Sequence, residues 1–239
     1  MITLPSPWTL HFLPVVASTS DEAKKHLTEG DIILADEQTN GRGRLGNTWQ
    51  SLKGNLFCSW VILHKDIGNP ALLSFISALS LGDTFSDLFP KLSYTYKWPN
   101  DVLVNGKKIS GILLEQEDNP ARSIIGMGVN LSVSPNGQTR YPATSLHDEG
   151  IETSTPEFLP VYFTHFSANL AELRQNGFGL LKNRWLAKVE KIGTDIEVRL
   201  ANRTLIGVFK GLDDNGYLLF LPEGSKDIQT ISAGEVFYR

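Results

Sequence analysis

Apolar and polar positions change period several times along the chain, and each change marks an element. Between Pro70 and Phe89 apolar residues recur at helical spacing until Pro90 ends the run, which predicts a helix. Residues 20–29 (SDEAKKHLTE) read as a short helix, because Thr19 and Glu22 have the spacing of a capping box and Gly30 supplies a stop. DIILAD (31–36) and NLFCSWVIL (55–63) read as strands on either side of a polar, glycine-rich loop. YTYK, VLV and KKISGILLEQE follow as further strands. Asn105-Gly106 joins the last two, a dipeptide that tolerates the positive φ of a tight hairpin. RSIIGMGVNL (122–131) is one more strand, and 134–156 is rich in turn residues. Helical spacing returns over 157–175 and 178–190. From Ile192 the character changes to short alternating runs (IEVRL, LIGVFKGL, GYLLFL, EVFYR) punctuated by Gly207, Gly211 and Gly216. That pattern predicts a small β-barrel appended to an α/β body, with the boundary near 190.

Composition narrows the class. The 239 residues are 41% hydrophobic and 20% charged, enough to build a core, with a net charge of −4. Such a chain has no global basic field, so no bulk binding to nucleic acid or to an anionic membrane is expected. Cys58, the single cysteine, cannot pair within the chain and sits in an apolar run, where a small buried hydrophobe is expected rather than a nucleophile. No Lys or Arg precedes Lys24, and Pro5, Pro7 and Pro14 interrupt the N-terminus, so no secretory signal is read there. The longest apolar stretch, 71–81, is too short and serine-rich to span a bilayer. A cytoplasmic protein in a reducing compartment is the expectation.

Three constellations could carry chemistry. Gly41-Arg42-Gly43-Arg44-Leu45-Gly46 satisfies the dinucleotide-binding pattern G-x-G-x-x-G, but polar, aperiodic residues follow it where that motif requires a helix. From Gln38 to Leu63 there is no Asp or Glu, whereas Arg42, Arg44 and Lys53 are present. Glycines around two guanidinium forks suit a mobile loop that closes over a carboxylate or phosphate; a solvated hairpin loop is the plain alternative. Lys97-Trp98-Pro99-Asn100-Asp101 precedes the Asn-Gly hairpin and Lys107-Lys108 follows it, so a carboxylate and lysines meet across adjacent strands. That arrangement suits Mg²⁺ and nucleotide phosphates, or simply forms a cross-strand ion pair. Strict alternation puts Lys108, Ser110 and Ile112 on one face and Lys107 and Ile109 on the other. Ser18-Thr19 before the first helix serves as a cap or holds a small polar ligand. Asn130, ending a strand, could touch a nucleotide. His11, His26, His64, His147 and His165 show no metal-ligand spacing, and no G-x-S-x-G elbow occurs.

The ordered set STS (18–20), QTNGRGRLG (38–46), Trp49, KWPNDV, KKISGILLE and GMGVNL resembles a biotin protein ligase from about residue 8 to the end. The resemblance implies a class II-synthetase-like catalytic domain with a mixed sheet (residues 1–190) and a C-terminal SH3-like β-barrel (191–239), an α+β fold. It implies that biotin and ATP form biotinyl-5′-adenylate with Mg²⁺, and that biotin then passes to one lysine of a biotin carboxyl carrier domain, acetyl-CoA carboxylase being the expected acceptor. The implied biotin contacts are Ser18, Thr19, Ser20, Gln38, Gly41, Arg42, Gly43, Arg44, Lys108 and Gly111. The implied nucleotide contacts are Arg44, Trp49, Lys97, Asn100, Asp101 and Asn130. Lys108, Arg42 and Asp101 are the implied catalytic groups, and Asp101 the implied metal contact.

Ser20 stands where the family commonly has asparagine after Ser-Thr. The ligase pattern begins within about the first ten residues, so a catalytic protein without a DNA-binding repressor domain is expected. A homodimer through a sheet edge is compatible with the resemblance, but nothing in the residues encodes it. Two other readings stay open: a lipoate-type ligase of the same fold, and a non-catalytic biotin or nucleotide sensor.

Overall fold

The structure, a computed structural model, describes residues 2–25, 28–116, 121–135 and 142–238. Its larger sheet is built from β1 (Thr9–Val16), β2 (Asp31–Gln38), β3 (Leu56–Leu63), β4 (Tyr94–Lys97), β5 (Asp101–Val104), β6 (Lys107–Gln116) and β7 (Arg122–Val129). They lie in the order β1-β2-β3-β7-β6-β5-β4. Only β1 and β2 run parallel, and the other neighbours are antiparallel, which makes the sheet mixed. The smaller sheet holds β8 (Asp195–Arg199), β9 (Thr204–Leu212), β10 (Leu218–Pro222), β11 (Gln229–Ile231) and β12 (Glu235–Tyr238), all antiparallel. Its order is β11-β10-β9-β8-β12, so among the described residues the ladder is open between β11 and β12.

The large sheet is covered on one face by α2 (Leu72–Leu88), α3 (Thr155–Asn176) and α4 (Gly179–Leu186). Alternation assigns the faces. Ile32, Leu34, Cys58, Trp60, Ile125, Met127 and Ile112 enter the main core under these helices, while Ile33, Ser59 and Gly126 stand on the opposite face. Trp60 is fully buried and meets Tyr162, Phe163 and Phe166 edge-on at 5.1–5.7 Å between ring centres. Burial pushes the Cys58 thiol pKa up, so it stays a neutral core side chain, as its apolar surroundings predict.

Three departures from the expected elements have physical causes. β1 is not predicted by the pattern, because Pro14 interrupts it and alternation is weak. At the sheet edge a strand can accommodate a proline, since one side of its ladder has no partner. α1 spans only Thr19–Ala23 of the expected 20–29, with residues 26 and 27 outside the described set. Ser18 is its N-cap and makes no side-chain cap bond, so the Thr19–Glu22 capping box does not form. The Thr19 hydroxyl is spent elsewhere. α3 begins at Thr155, two residues earlier than expected, because Ser154 and Glu157 form a reciprocal cap. The expected turn-rich stretch at 134–156 includes residues 136–141, which lie outside the described set.

The aromatic cluster yields a stability prediction. Phe166→Ala removes a fully buried ring that contacts Trp8, Trp60, Tyr162 and Phe163. The expected loss is about 3–5 kcal/mol, read as a lower denaturant midpoint at unchanged m-value.

Candidate active site

The face of the large sheet opposite α2, α3 and α4 is covered in part by α1, whose Ala23 packs with Ile33 and Ile124, and beside that cluster it has a floor without side chains. Gly111 and Gly128 lie directly opposite each other on β6 and β7, and Gly126 sits opposite Leu113 on the next site-facing row. A Cβ at Gly128 would lie 2.4 Å from the Trp49 indole, and one at Gly111 would lie 2.9 Å from it. Trp49 therefore lies flat on backbone, a contact that only glycine permits. Above this floor opens a cavity of about 420 Å³.

Lys108 reaches the cavity through a β-bulge. Val102 pairs with Ser110 and Leu103 with Lys108, so Ile109 is the extra residue. The Lys108 backbone pairs instead with the 142–144 segment: its N–H donates to Pro142 O, and its carbonyl accepts from Thr144 N–H. Strict alternation would put Lys108 with Ser110 and Ile112 on the core side. The bulge overturns that expectation, turning Lys108 onto the Gly111 face while Ile109 and Ser110 stay buried. Lys108 Nζ then lies 2.6 Å from Asp101 Oδ1. Asp101 is opposite Gly111 on β5, so the cross-strand meeting of carboxylate and lysine is realised, and Lys107 is left exposed.

One end of the cavity is polar and lined by buried side chains. Ser18, Thr19 and Ser20 are 2–4% exposed and line it together with Gln38. Gln38 Oε1 accepts from the Thr19 N–H at 2.9 Å and from the Thr19 hydroxyl at 3.0 Å, and Gln38 Nε2 donates to Ser51 Oγ. Ser59, on β3, lies 2.8 Å from the Thr19 hydroxyl and 3.1 Å from that of Ser20. Ser51 and Ser59 carry no motif, and only the fold brings them here.

The glycine-arginine loop closes one side. Arg42 donates a two-pronged pair to Asp21 at 2.6 and 2.7 Å and also reaches Glu115 on β6. The Arg42 hydrogen bond holds the Asp21 carboxyl below its ordinary pKa, and the same bond pushes the guanidinium up. The loop is free of acidic residues only in sequence; tertiary structure supplies both carboxylates. Arg44 turns the other way, toward Asn100 Oδ1 and the Gly234 carbonyl of the C-terminal sheet, each at 3.3 Å. Burial draws the pKa of Arg44 down against the opposing pull of Asp101 and Glu235. Gly43 lines the cavity. Gly41 is packed behind it, where a Cβ would meet the Trp49 carbonyl at 2.6 Å. The segment after the loop is a three-residue 3-10 turn, Arg44–Gly46, so no helix opens at the glycines and the dinucleotide pattern has no structural counterpart.

The other end gathers Trp49, Lys97, Asn100, Asp101 and Asn130 with Glu235 and Val236 of the C-terminal sheet. Lys97 is 5% exposed, and burial lowers its pKa to about 8, with Lys108 adding repulsion and Asp101 and Glu235 opposing. Asn130 donates to Thr144 O, while its Oδ1 is buried with no hydrogen-bond partner and lines the cavity wall. Among the described residues no group of three or more His, Cys, Asp or Glu could hold a metal. Asp101 alone still fits a Mg²⁺ whose other ligands are phosphate oxygens and water. Of the expected site residues, all but Gly41 line one cavity, which Glu235 also lines; Asp21, Ser51, Ser59 and Glu115 stand behind them as hydrogen-bond partners of lining residues, unannounced by any local pattern.

Comparison with known proteins gives the family of the chain. Residues 12–130 match the model of the biotin/lipoate A/B protein ligase family, and 191–239 match the biotin protein ligase C-terminal domain. The chain is 36% identical to a biotin--[acetyl-CoA-carboxylase] ligase of Paracoccus denitrificans over 235 residues, covering 92% of this chain and 97% of that protein. It is 31% identical to the bifunctional ligase/repressor BirA of Bacillus subtilis, covering 90% of this chain and 68% of the other. The biotin protein ligase of Aquifex aeolicus, solved with biotin and ATP, superposes with a TM-score of 0.85 at 29% identity, covering 95% and 97% of the two chains.

The Arg42 pairs predict how firmly the loop is held. Asp21→Asn or Glu115→Gln removes one carboxylate from a partly exposed cluster, so the closed loop loses a modest share of its population advantage. Limited trypsin digestion is expected to cut after Arg42 or Arg44 about 2- to 5-fold faster than in the parent, with the thermal midpoint nearly unchanged.

Proposed function

The chain belongs to the biotin/lipoate A/B protein ligase family, and we propose that its cavity joins biotin to ATP and then hands biotin to a carrier-protein lysine. It is a biotin–protein ligase. The observation that carries the assignment is the Lys108–Asp101 pair, set between a hydroxyl-lined end and an end walled by Trp49, Lys97 and Asn130 of one cavity.

The chemistry follows from that arrangement. Biotin lies with its ring against Ser18, Thr19, Ser20 and Gln38 and its chain across the Gly111 backbone. Its carboxylate meets Lys108, which neutralises it and then the charge that develops as the carboxylate oxygen attacks the α-phosphorus. Pyrophosphate leaves toward Lys97, Asn100 and Asp101. Trp49 and Asn130 hold the adenine, and the unpartnered Asn130 Oδ1 suits an amino-group donor. Mg²⁺, held by Asp101, would supply charge neutralisation on the phosphates. In the second step the acceptor amine attacks the acyl carbon, AMP departs, and the amine loses a proton, for which Asp101 on the cavity wall is the base we assign. The Arg42–Arg44 loop and Trp49 keep water from the mixed anhydride. Gly41 lets this loop pack closely on the Trp49 carbonyl, and Gly43 lines the cavity.

The acceptor is a biotin carboxyl carrier domain, with acetyl-CoA carboxylase first among the choices. We read residues 1–190 as the catalytic domain, with a class II-synthetase-like sheet, and 191–239 as an SH3-like domain whose Glu235 and Val236 complete the nucleotide end. A reducing, cytoplasmic setting is supported by one buried thiol; no described helix is long and apolar enough to cross a membrane. A lipoate-type ligase is the second reading, and the hydroxyl-rich ring end disfavours it.

Biotin-dependent ATP–pyrophosphate exchange with Mg²⁺ tests the assignment, with lipoate and octanoate run alongside. Exchange with biotin is expected, and Lys108→Ala should lower kcat/KM by about 10²- to 10³-fold. Exchange with lipoate alone would sink the ring-pocket assignment. Lys97 adds a pH dependence. It is charged below about 8 and neutral above, so kcat/KM for ATP should fall as pH rises through that value. Lys97→Arg should shift the falling limb to higher pH; an unshifted limb would assign it to another group.

A further inference from the structure

The hydroxyls at the ring end of the cavity form a chain of fixed direction, and the direction can be derived from valence. The Thr19 N–H can only donate, so the Gln38 atom it meets is the amide oxygen, an acceptor. The Thr19 hydroxyl, 3.0 Å from the same oxygen, must therefore donate its single proton there. Its 2.8 Å contact with Ser59 then requires Ser59 to donate to Thr19. With the Ser59 proton spent, the 3.1 Å contact with Ser20 requires Ser20 to donate to Ser59. Each hydroxyl has one proton, so no link can reverse without breaking another.

The end of this relay is Ser20, whose proton points inward and whose oxygen offers only lone pairs. Ser20 lines the cavity, 4% exposed, and its Oγ stands 2.9 Å from where a Gly126 Cβ would be. Gly126, which also lines the cavity, thus leaves space open beside that oxygen. Ser59 lies behind it, fully buried, between Ile33 and Gly126 in register. A buried acceptor with no donor is costly to leave unpaired, so the ring that fits here must bring an N–H.

We propose that Ser59 is a specificity-positioning residue: by fixing the relay Ser20→Ser59→Thr19→Gln38 it makes Ser20 a pure acceptor that selects ligands carrying a ring N–H, as a cyclic urea does. This rests on the biotin ligase reading and adds to it how ring chemistry is discriminated. A dithiolane ring has no N–H and leaves the Ser20 oxygen unpaired. Removing the Ser59 hydroxyl frees the Ser20 proton to turn toward the cavity, so Ser20 becomes a donor as readily as an acceptor and the preference relaxes.

The test uses the full chain with biotin and a biotin analogue methylated on a ring nitrogen, measuring calorimetric affinity and ATP–pyrophosphate exchange. The parent should prefer biotin clearly. Ser59→Ala should weaken biotin about 10- to 100-fold in Kd and KM, change kcat less than about threefold, and narrow the preference over the methylated analogue by a similar factor. Ser59→Thr, which keeps the hydroxyl, should restore most of both. Ser20→Ala, at the relay's end, should narrow the preference in the same way and serves if Ser59→Ala fails to fold. Unchanged preference in a folded Ser59→Ala or Ser20→Ala protein would overturn the relay, as would a fall in kcat at constant KM. Biotin binding with an intact preference but no exchange would count against the ligase reading and leave the relay standing. Exchange with lipoate in the parent would overturn the relay and keep the adenylating fold.

Discussion

A sheet of seven strands can bury only what its neighbours cover; here α2, α3 and α4 cover one face, and the short α1 covers only part of the other, over Ile33 and Ile124. The part of that face left open by α1 is where a ligand can sit, and it holds Gly111, Gly126 and Gly128 in place of side chains. Every functional group is placed relative to that glycine floor. Trp49 lies on it, Lys108 leans over it, and Ser20 borders it. The aromatic core beneath makes the floor rigid, because interiors packed at this density yield little to local strain.

Electrostatics at the floor follow from one irregularity. The bulge at Ile109 exchanges a ladder bond to β5 for bonds to Pro142 and Thr144, and the exchange turns one lysine over. Lys108 thereby faces Asp101 across β5, and Lys97, opposite Asp101 on β4, completes a row of alternating charge. Two lysines beside one carboxylate in a half-closed cavity leave a net positive site within a chain of negative net charge. That is the polarity an anionic nucleotide and a carboxylate substrate require. Arg42, by contrast, is already neutralised by Asp21 and Glu115, so its charge is structural until the loop opens.

The C-terminal sheet is part of the site. Arg44 donates to the Gly234 carbonyl, Trp98 Nε1 to the Gly216 carbonyl, and Glu235 enters the cavity wall. These bonds run from the glycine-arginine loop and from the segment between β4 and β5 into the smaller sheet. Closure of the loop and seating of the C-terminal sheet are therefore coupled through the same few residues.

Much of this was written in local sequence. The period-2 runs marked β2, β3, β6 and β7, the 3.6-residue spacing marked α2 and α3, and Asn105-Gly106 marked the hairpin, since both residues take positive φ. Those signals depend only on neighbours within a turn or a strand. The motif residues Thr19, Gln38, Arg44, Lys97, Asp101, Lys108 and Asn130 were legible for the same reason, and all border one cavity. Tertiary structure decided what adjacency in sequence cannot express. β1 became a strand only because an edge tolerates Pro14. Thr19 became a pocket residue and not a cap, because Gln38 and Ser59 arrive from other strands. Lys108 faced the site, against simple alternation, because its backbone found a partner in a distant segment. Ser59, Asp21 and Glu115 acquired roles through hydrogen bonds to residues 21 to 73 positions away, a range over which only the folded chain can set distances.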